Sequence, residues 1–138
     1  MAPGAVTHGS IGMSITVEMS MQEAEDAIRA ALGEVGFGVL TEIDVAATLK
    51  TKLDVERAPY KILGACNPTF ANEALNHDEQ IGLLLPCNVT LSDNGSTTTI
   101  SAVDPTLLLA AANRDGAMDE LASAARIMLQ QALEVVAT

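Results

Sequence analysis

The stretch from Leu83 to Val103 does most to limit the fold open to this chain. Leu83, Leu85, Cys87, Val89 and Leu91 recur at every second position. Asp93-Asn94-Gly95 then turns the backbone, and Thr97 to Val103 runs back. Two alternating runs joined by such a turn form a β-hairpin, whose strands are antiparallel. A wholly parallel sheet is thereby ruled out.

Upstream, the apolar period switches repeatedly between two and 3.6. Met13, Ile15 and Val17 alternate as a first strand. Ser20 and Glu23 then make an S-x-x-E capping box ahead of Ala24, Ala27, Ile28, Ala31, Leu32 and Val35, with Gly36 as the helix stop. Phe37, Val39, Thr41 and Ile43 give a second strand, and Asp44 caps a short helix carrying Val45, Leu49 and Leu53. Pro59 opens a third strand, Tyr60 to Ala65. Asn67-Pro68 starts another short helix, because Asn caps and Pro suits the first helical position. After the hairpin, Asp104-Pro105 ends the strand. A long final helix follows, capped by Asp115, with Met118, Leu121, Ala122, Ala125, Leu129, Leu133 and Val136 on its stripe.

This order, β-α-β-α-β-α-β-β-α, predicts an α/β two-layer sandwich of the α+β kind. A single five-stranded sheet, mixed or mostly antiparallel, carries its helices on one face. Residues 13–138 read as one domain, and residues 1–12 as a disordered N-terminal lead. The sheet's second face is expected to hold Leu84, Pro86, Ile100 and Ala102, which predicts a homodimer.

A chain of 138 residues with 49% apolar content can bury a full core without disulfides or metals. Its aromatic residues are Phe37, Tyr60 and Phe70, so that core is aliphatic. A net charge of −11 with seven scattered basic residues speaks against nucleic acid and anionic membrane surfaces. No segment reaches the roughly 18 apolar residues of a membrane helix. The first twelve residues carry no secretory pattern. Two cysteines in such a chain read as reduced thiols in a cytoplasmic protein.

Those two cysteines are the candidate site. Cys66 ends the third strand just before the Asn67-Pro68 helix start, where unpaired N–H groups and the helix dipole favour thiolate. Cys87 lies within a strand between Leu85 and Val89, the setting of a small buried hydrophobe. If their strands are neighbours, the sulfurs approach one another. Two thiolates suit a soft ion such as copper(I) or zinc, or reversible oxidation. The spacing is not C-x-x-C, and zinc needs two further ligands. Asn88, a polar residue inside a strand beside Pro86 and Val89, calls for a hydrogen-bond partner or a pocket. Lys61 is positioned to bind an anion or acidify a thiol, although a solvated strand lysine explains it as well. His77 reads as a surface residue that could also serve as ligand or base, and His8 falls in the lead.

Three segments have a shared character: residues 36–44, Tyr60 to Pro68 and Ile81 to Val89, the last two each containing Cys-Asn. Together they resemble the prokaryotic family called domain of unknown function 302, over roughly Met13 to Val136. The resemblance implies a compact α/β homodimer and no established activity. It lends weight to Cys66, Asn67, Pro68, Cys87 and Asn88 as a unit, with Tyr60 and Lys61 in support.

Three functions fit these observations. The first is a dimeric ligand-binding or interaction domain with structural cysteines, open to a small ligand. The second is a thiol module in which Cys66 and Cys87 hold a soft metal or a sulfur species and the asparagines orient the sulfurs. The third is an enzyme with Cys66 as nucleophile and Lys61 or His77 assisting; no base is paired with the thiol in the sequence.

Overall fold

The computed structural model describes residues 5–112 and 115–138. In chain order the elements are β1 (Thr7–His8), β2 (Gly12–Val17), α1 (Met21–Glu34), β3 (Gly38–Asp44), α2 (Val45–Leu53) and β4 (Tyr60–Cys66). Then come α3 (Pro68–His77), a 3-10 segment (Glu79–Leu84), β5 (Cys87–Asp93), β6 (Thr98–Val103), α4 (Pro105–Leu108), a 3-10 turn (Leu109–Ala111) and α5 (Asp119–Ala137).

The helix starts follow local chemistry. Ser20 and Glu23 form the complete capping box of α1. Asp44 accepts from the Ala47 N–H to cap α2, and Asn67 accepts from the Phe70 N–H to cap α3. Gly36 takes φ +87 after α1, a conformation costly for any residue with a Cβ. Asp115 does not cap α5. It accepts from the Ala117 N–H in the preceding turn, and Met118 occupies the cap position.

All strands pair antiparallel, in the order β1-β2-β6-β5-β4-β3. The sheet therefore has six strands among the described residues, not the five expected. The additional one, β1, comes from the stretch expected to lie outside the fold. Two residues are too few to show a period. Thr7 and His8 join the sheet by pairing with Ser14 and Met13 across a turn closed by the Gly9 N–H on the Gly12 carbonyl.

Two further expectations change. Leu83 and Leu84 do not belong to a strand: Glu79–Leu84 is 3-10, with Asp78 accepting from the Gln80 N–H. Pro86 has no N–H for the ladder, so β5 begins only at Cys87. Ile100 and Ala102 do not sit on an uncovered face. The hairpin pairs Asp93 with Thr98, which puts Leu91 opposite Ile100 and Val89 opposite Ala102. All four are buried on the helix-covered side.

That side carries the main core. Met13, Ile15 and Val17 of β2, Leu63 and Ala65 of β4, and the four hairpin residues pack against α1 and α5 through Ile28, Leu32, Leu129 and Leu133. The opposite face is rich in hydroxyls. Ser14 and Ser101 hydrogen-bond across β2 and β6 at 2.7 Å, and Thr16 and Thr99 at 3.2 Å. A second, smaller core of Ala74, Ile81, Leu109, Met118 and Ala122 joins α3, the two 3-10 segments and the first turns of α5. Among the described residues no helix is long and apolar enough to cross a membrane.

Candidate functional site

The carboxyl end of β4 and the amino end of β5 lie side by side, with Ala65 the register partner of Cys87. Cys66 follows Ala65 as the last residue of β4, immediately before the capping Asn67. The chain then turns into α3, and Phe70, Ala71 and Ala74 of α3 share the space at the strand end with Leu121 and Ala125 of α5.

A cavity of about 40 Å³ lies there. Ala65, Phe37, Phe70, Cys87 and Ala125 reach it from the main core, and Ala74, Leu85, Leu109 and Leu121 from the smaller one. It is thus the seam between two hydrophobic clusters. Cys66, Cys87 and Asn67 all line it, together with Ala71, Pro86, Pro105 and Leu108. Phe37 and Phe70 meet edge to face, centroids 6.4 Å apart. These are both phenylalanines of the sequence. In a chain so poor in aromatics, their convergence is a second sequence signal for this cavity beside the two Cys-Asn segments.

The two thiols differ. Burial pushes the Cys87 thiol up from its ordinary 9.0 to about 11, and the nearby Cys66 adds to the rise. Cys87 therefore keeps its proton at neutral pH. Both cysteines are free and partly buried. Asn67 spends its side-chain oxygen on the α3 cap, accepting from Phe70 at 3.2 Å.

The other sequence candidates lie elsewhere. Asn88 pairs with Gly64, is exposed, and faces the hydroxyl-rich side with Thr90 and Ser101. Strand alternation turns it away from Cys87. Tyr60 lines the same shallow depression as Asn88, and Arg57 sits over its ring at 5.4 Å. Pro68 opens α3 without lining the cavity. Lys61 stands about 17 Å along β4 from Cys66, five residues at about 3.4 Å each. There it bonds Glu25 at 2.9 Å and Glu42 at 3.2 Å, while Arg29 bonds the same two carboxylates. Burial alone would raise the Glu25 pKa, but bonds from Lys61 and Arg29 outweigh it and hold the carboxyl below its usual range. This network ties α1 to β3 and β4. It is too far from the thiols to acidify them.

His77 lies 3.8 Å from Asp115, and His8 bonds Gln130 at 3.2 Å; neither lines the cavity. No base is thus brought to Cys66 by the residues expected to assist it. Among the described residues no three His, Cys, Asp or Glu side chains gather to hold a metal ion. The four-ligand set of a structural zinc is not assembled, and the two thiols are the soft donors of the cavity.

Gly64 shapes the neighbouring backbone. A Cβ there would run into Thr41 Oγ1 and would come within 2.6 Å of Pro86 Cγ. Its absence lets Pro86 fold over β4 at the edge of the cavity.

The comparisons with known proteins agree with this architecture. Residues 13–136 match the family described as domain of unknown function DUF302. The fold is similar to that of an uncharacterized conserved protein DUF302 from Bacillus stearothermophilus. That structure superposes with a TM-score of 0.84 at 30% sequence identity, over 92% of this chain and 98% of the other. No curated protein matches the sequence. With nearly the whole domain matched in sequence and in structure, the chain belongs to the DUF302 family.

Proposed function

We propose that this chain is a ligand-binding domain acting as a homodimer, and that its ligand inserts a small apolar or soft group into the thiol-walled cavity. The observation that carries this reading is the cavity itself: a nearly all-apolar space at the seam of two cores, with both cysteines in its wall. Size narrows the occupant. About 40 Å³ exceeds the roughly 10–15 Å³ that one water needs, and falls well short of the roughly 150 Å³ apolar cavity that holds benzene. The group that enters has one or a few heavy atoms, such as a methyl, a sulfur or a soft ion.

Support for the dimer comes from the edge of the sheet next to β4. β3 is the outer strand, and α2 after it has no buried residue. Leu40 is 70% exposed and Leu53 65%, with Ile43 and Val55 also open to solvent. An outer strand offers unpaired N–H and C=O groups, and a two-fold axis pairs it with its own copy.

Xenon tests the cavity. Methyl spectra under xenon pressure should shift at the lining methyls, Ala65, Ala74, Leu109 and Ala125 among them, and not at core methyls away from the cavity such as Ile15 and Ile100. Filling the space by Ala74→Leu should abolish the shifts. Unmoved cavity methyls, or equal shifts in the filled variant, would overturn the reading. For the dimer, light scattering on Leu40→Lys should report a lighter particle than the parent chain; equal masses would refute β3 as the interface.

A further inference from the structure

We infer that Cys66 and Cys87 form a reversible dithiol–disulfide couple, driven by a low-molecular-weight disulfide, that closes the cavity when oxidised. The inference rests on the ligand-binding reading only for its consequence; the thiol chemistry stands on the Cα spacing set by the sheet register and on the place of both cysteines in one cavity wall. Ala65 and Cys87 are partners in an antiparallel ladder, where facing Cα atoms lie about 4.5–5.5 Å apart. One residue further along β4, at a rise of about 3.4 Å, Cys66 has its Cα about 6 Å from that of Cys87, within the roughly 4.4–6.8 Å that disulfides span. Strand alternation would separate the two side chains in mid-sheet. Here Cys66 is the terminal residue of β4, in register with Gly38 of β3 but beyond the last pair with β5, and both cysteines line the same cavity.

The apolar wall selects the product. Two thiolates on one monovalent ion leave a net negative charge in a space without a basic side chain, whereas a disulfide is neutral. The surroundings also divide the roles. Cys66 adjoins the α3 N-terminus and acts as the attacking thiol. Cys87 is held protonated by burial and resolves the intermediate.

The exchange balances as follows. Cys66 gives its proton to solvent, and its thiolate attacks one sulfur of the small disulfide. That S–S bond breaks, and the leaving thiolate takes up a proton. Cys87 then loses its proton, attacks the Cys66 sulfur and displaces the second small thiol. Two protein thiols are oxidised by two electrons, and one small disulfide is reduced to two thiols. The new bond ties the end of β4 to the start of β5 across the cavity wall.

The test uses the intact chain in glutathione buffers of graded ratio, quenched with acid and read by mass spectrometry. The expected product is a monomer lighter by two hydrogen atoms, with a Cys66–Cys87 peptide, restored by excess reduced glutathione. Cys87→Ala should instead accumulate one glutathione on Cys66, and Cys66→Ala should react at least tenfold more slowly. A stable glutathione adduct on the parent chain, a bond between two chains, or faster reaction of Cys66→Ala would overturn the couple. If the disulfide forms while xenon fails to shift the cavity methyls, the couple stands and the ligand-binding reading falls. If oxidised protein still shows the xenon shifts, the closing role fails.

Discussion

The molecule has two hydrophobic cores built to different standards. The main one draws on four strands and two long helices, and leaves Met13, Leu63, Val89, Leu91, Ile100, Leu129 and Leu133 with no exposure. The smaller one joins α3, two 3-10 segments and the first turns of α5 around Ile81 and Met118. Regular elements present continuous apolar stripes that interdigitate, whereas short segments supply one or two anchors each. The cavity and both thiols fall where the two meet. Sites are placed at such seams at little cost, because the large core keeps the fold and the small one is free to yield.

Deletions in each core should separate the two. Leu129→Ala is expected to cost about 4 kcal/mol and Ile81→Ala about 2 kcal/mol, the latter less because its neighbours can close in on the void. Urea unfolding checks this; equal losses would mean the cores are equally rigid.

Alkaline pH should act next most strongly. The Cys87 pKa is raised from 9.0 to about 11 by burial and by Cys66, so the folded state prefers the protonated thiol. Its contribution is complete below pH 9 and is lost as pH climbs toward 11, an upper bound of about 3 kcal/mol at about 1.4 kcal/mol per unit. The difference between the parent chain and Cys87→Ala should carry that slope, which removes the background from lysines. A difference that stays flat from pH 8 to 11 would contradict the burial of this thiol.

The asparagines should divide more gently. Asn67→Ala removes the α3 cap and should lower stability by about 1 kcal/mol. Asn88→Ala alters an exposed side chain and should stay within about 0.5 kcal/mol, leaving thiol reactivity unchanged. An effect of Asn88→Ala on either thiol would join the two sheet faces in a way the register does not.

Much of the main core was legible in the chain, since Ser20, Asp44 and Asn67 cap helices as their side chains require and the apolar periods of β2, α1 and α5 match their buried faces. The smaller core was not. Ile81 and Leu109 are anchors within irregular segments, where no period marks the buried side, and Leu83 sits in an alternating run yet ends 82% exposed. Cys66, Asn67 and Cys87 were grouped by the two Cys-Asn segments, and all three line one cavity because the end of β4 lies beside the start of β5. Asn88 was misplaced with them because adjacency in sequence means opposite faces in a strand. The site of Lys61 was set by Glu25 and Glu42, carboxylates distant in sequence, and only the fold reveals that pairing.

Ala74, Leu85, Leu109 and Leu121 of the smaller core form one wall of the cavity that Cys66 and Cys87 line. Native-state labelling with a small thiol reagent, followed residue by residue by mass spectrometry, tests it most directly. Cys66 should react first in the parent chain, and Ile81→Ala should speed Cys87 at least tenfold while the midpoint of global unfolding moves only modestly. Labelling of Cys87 before Cys66, or a Cys87 rate indifferent to Ile81→Ala, would contradict it.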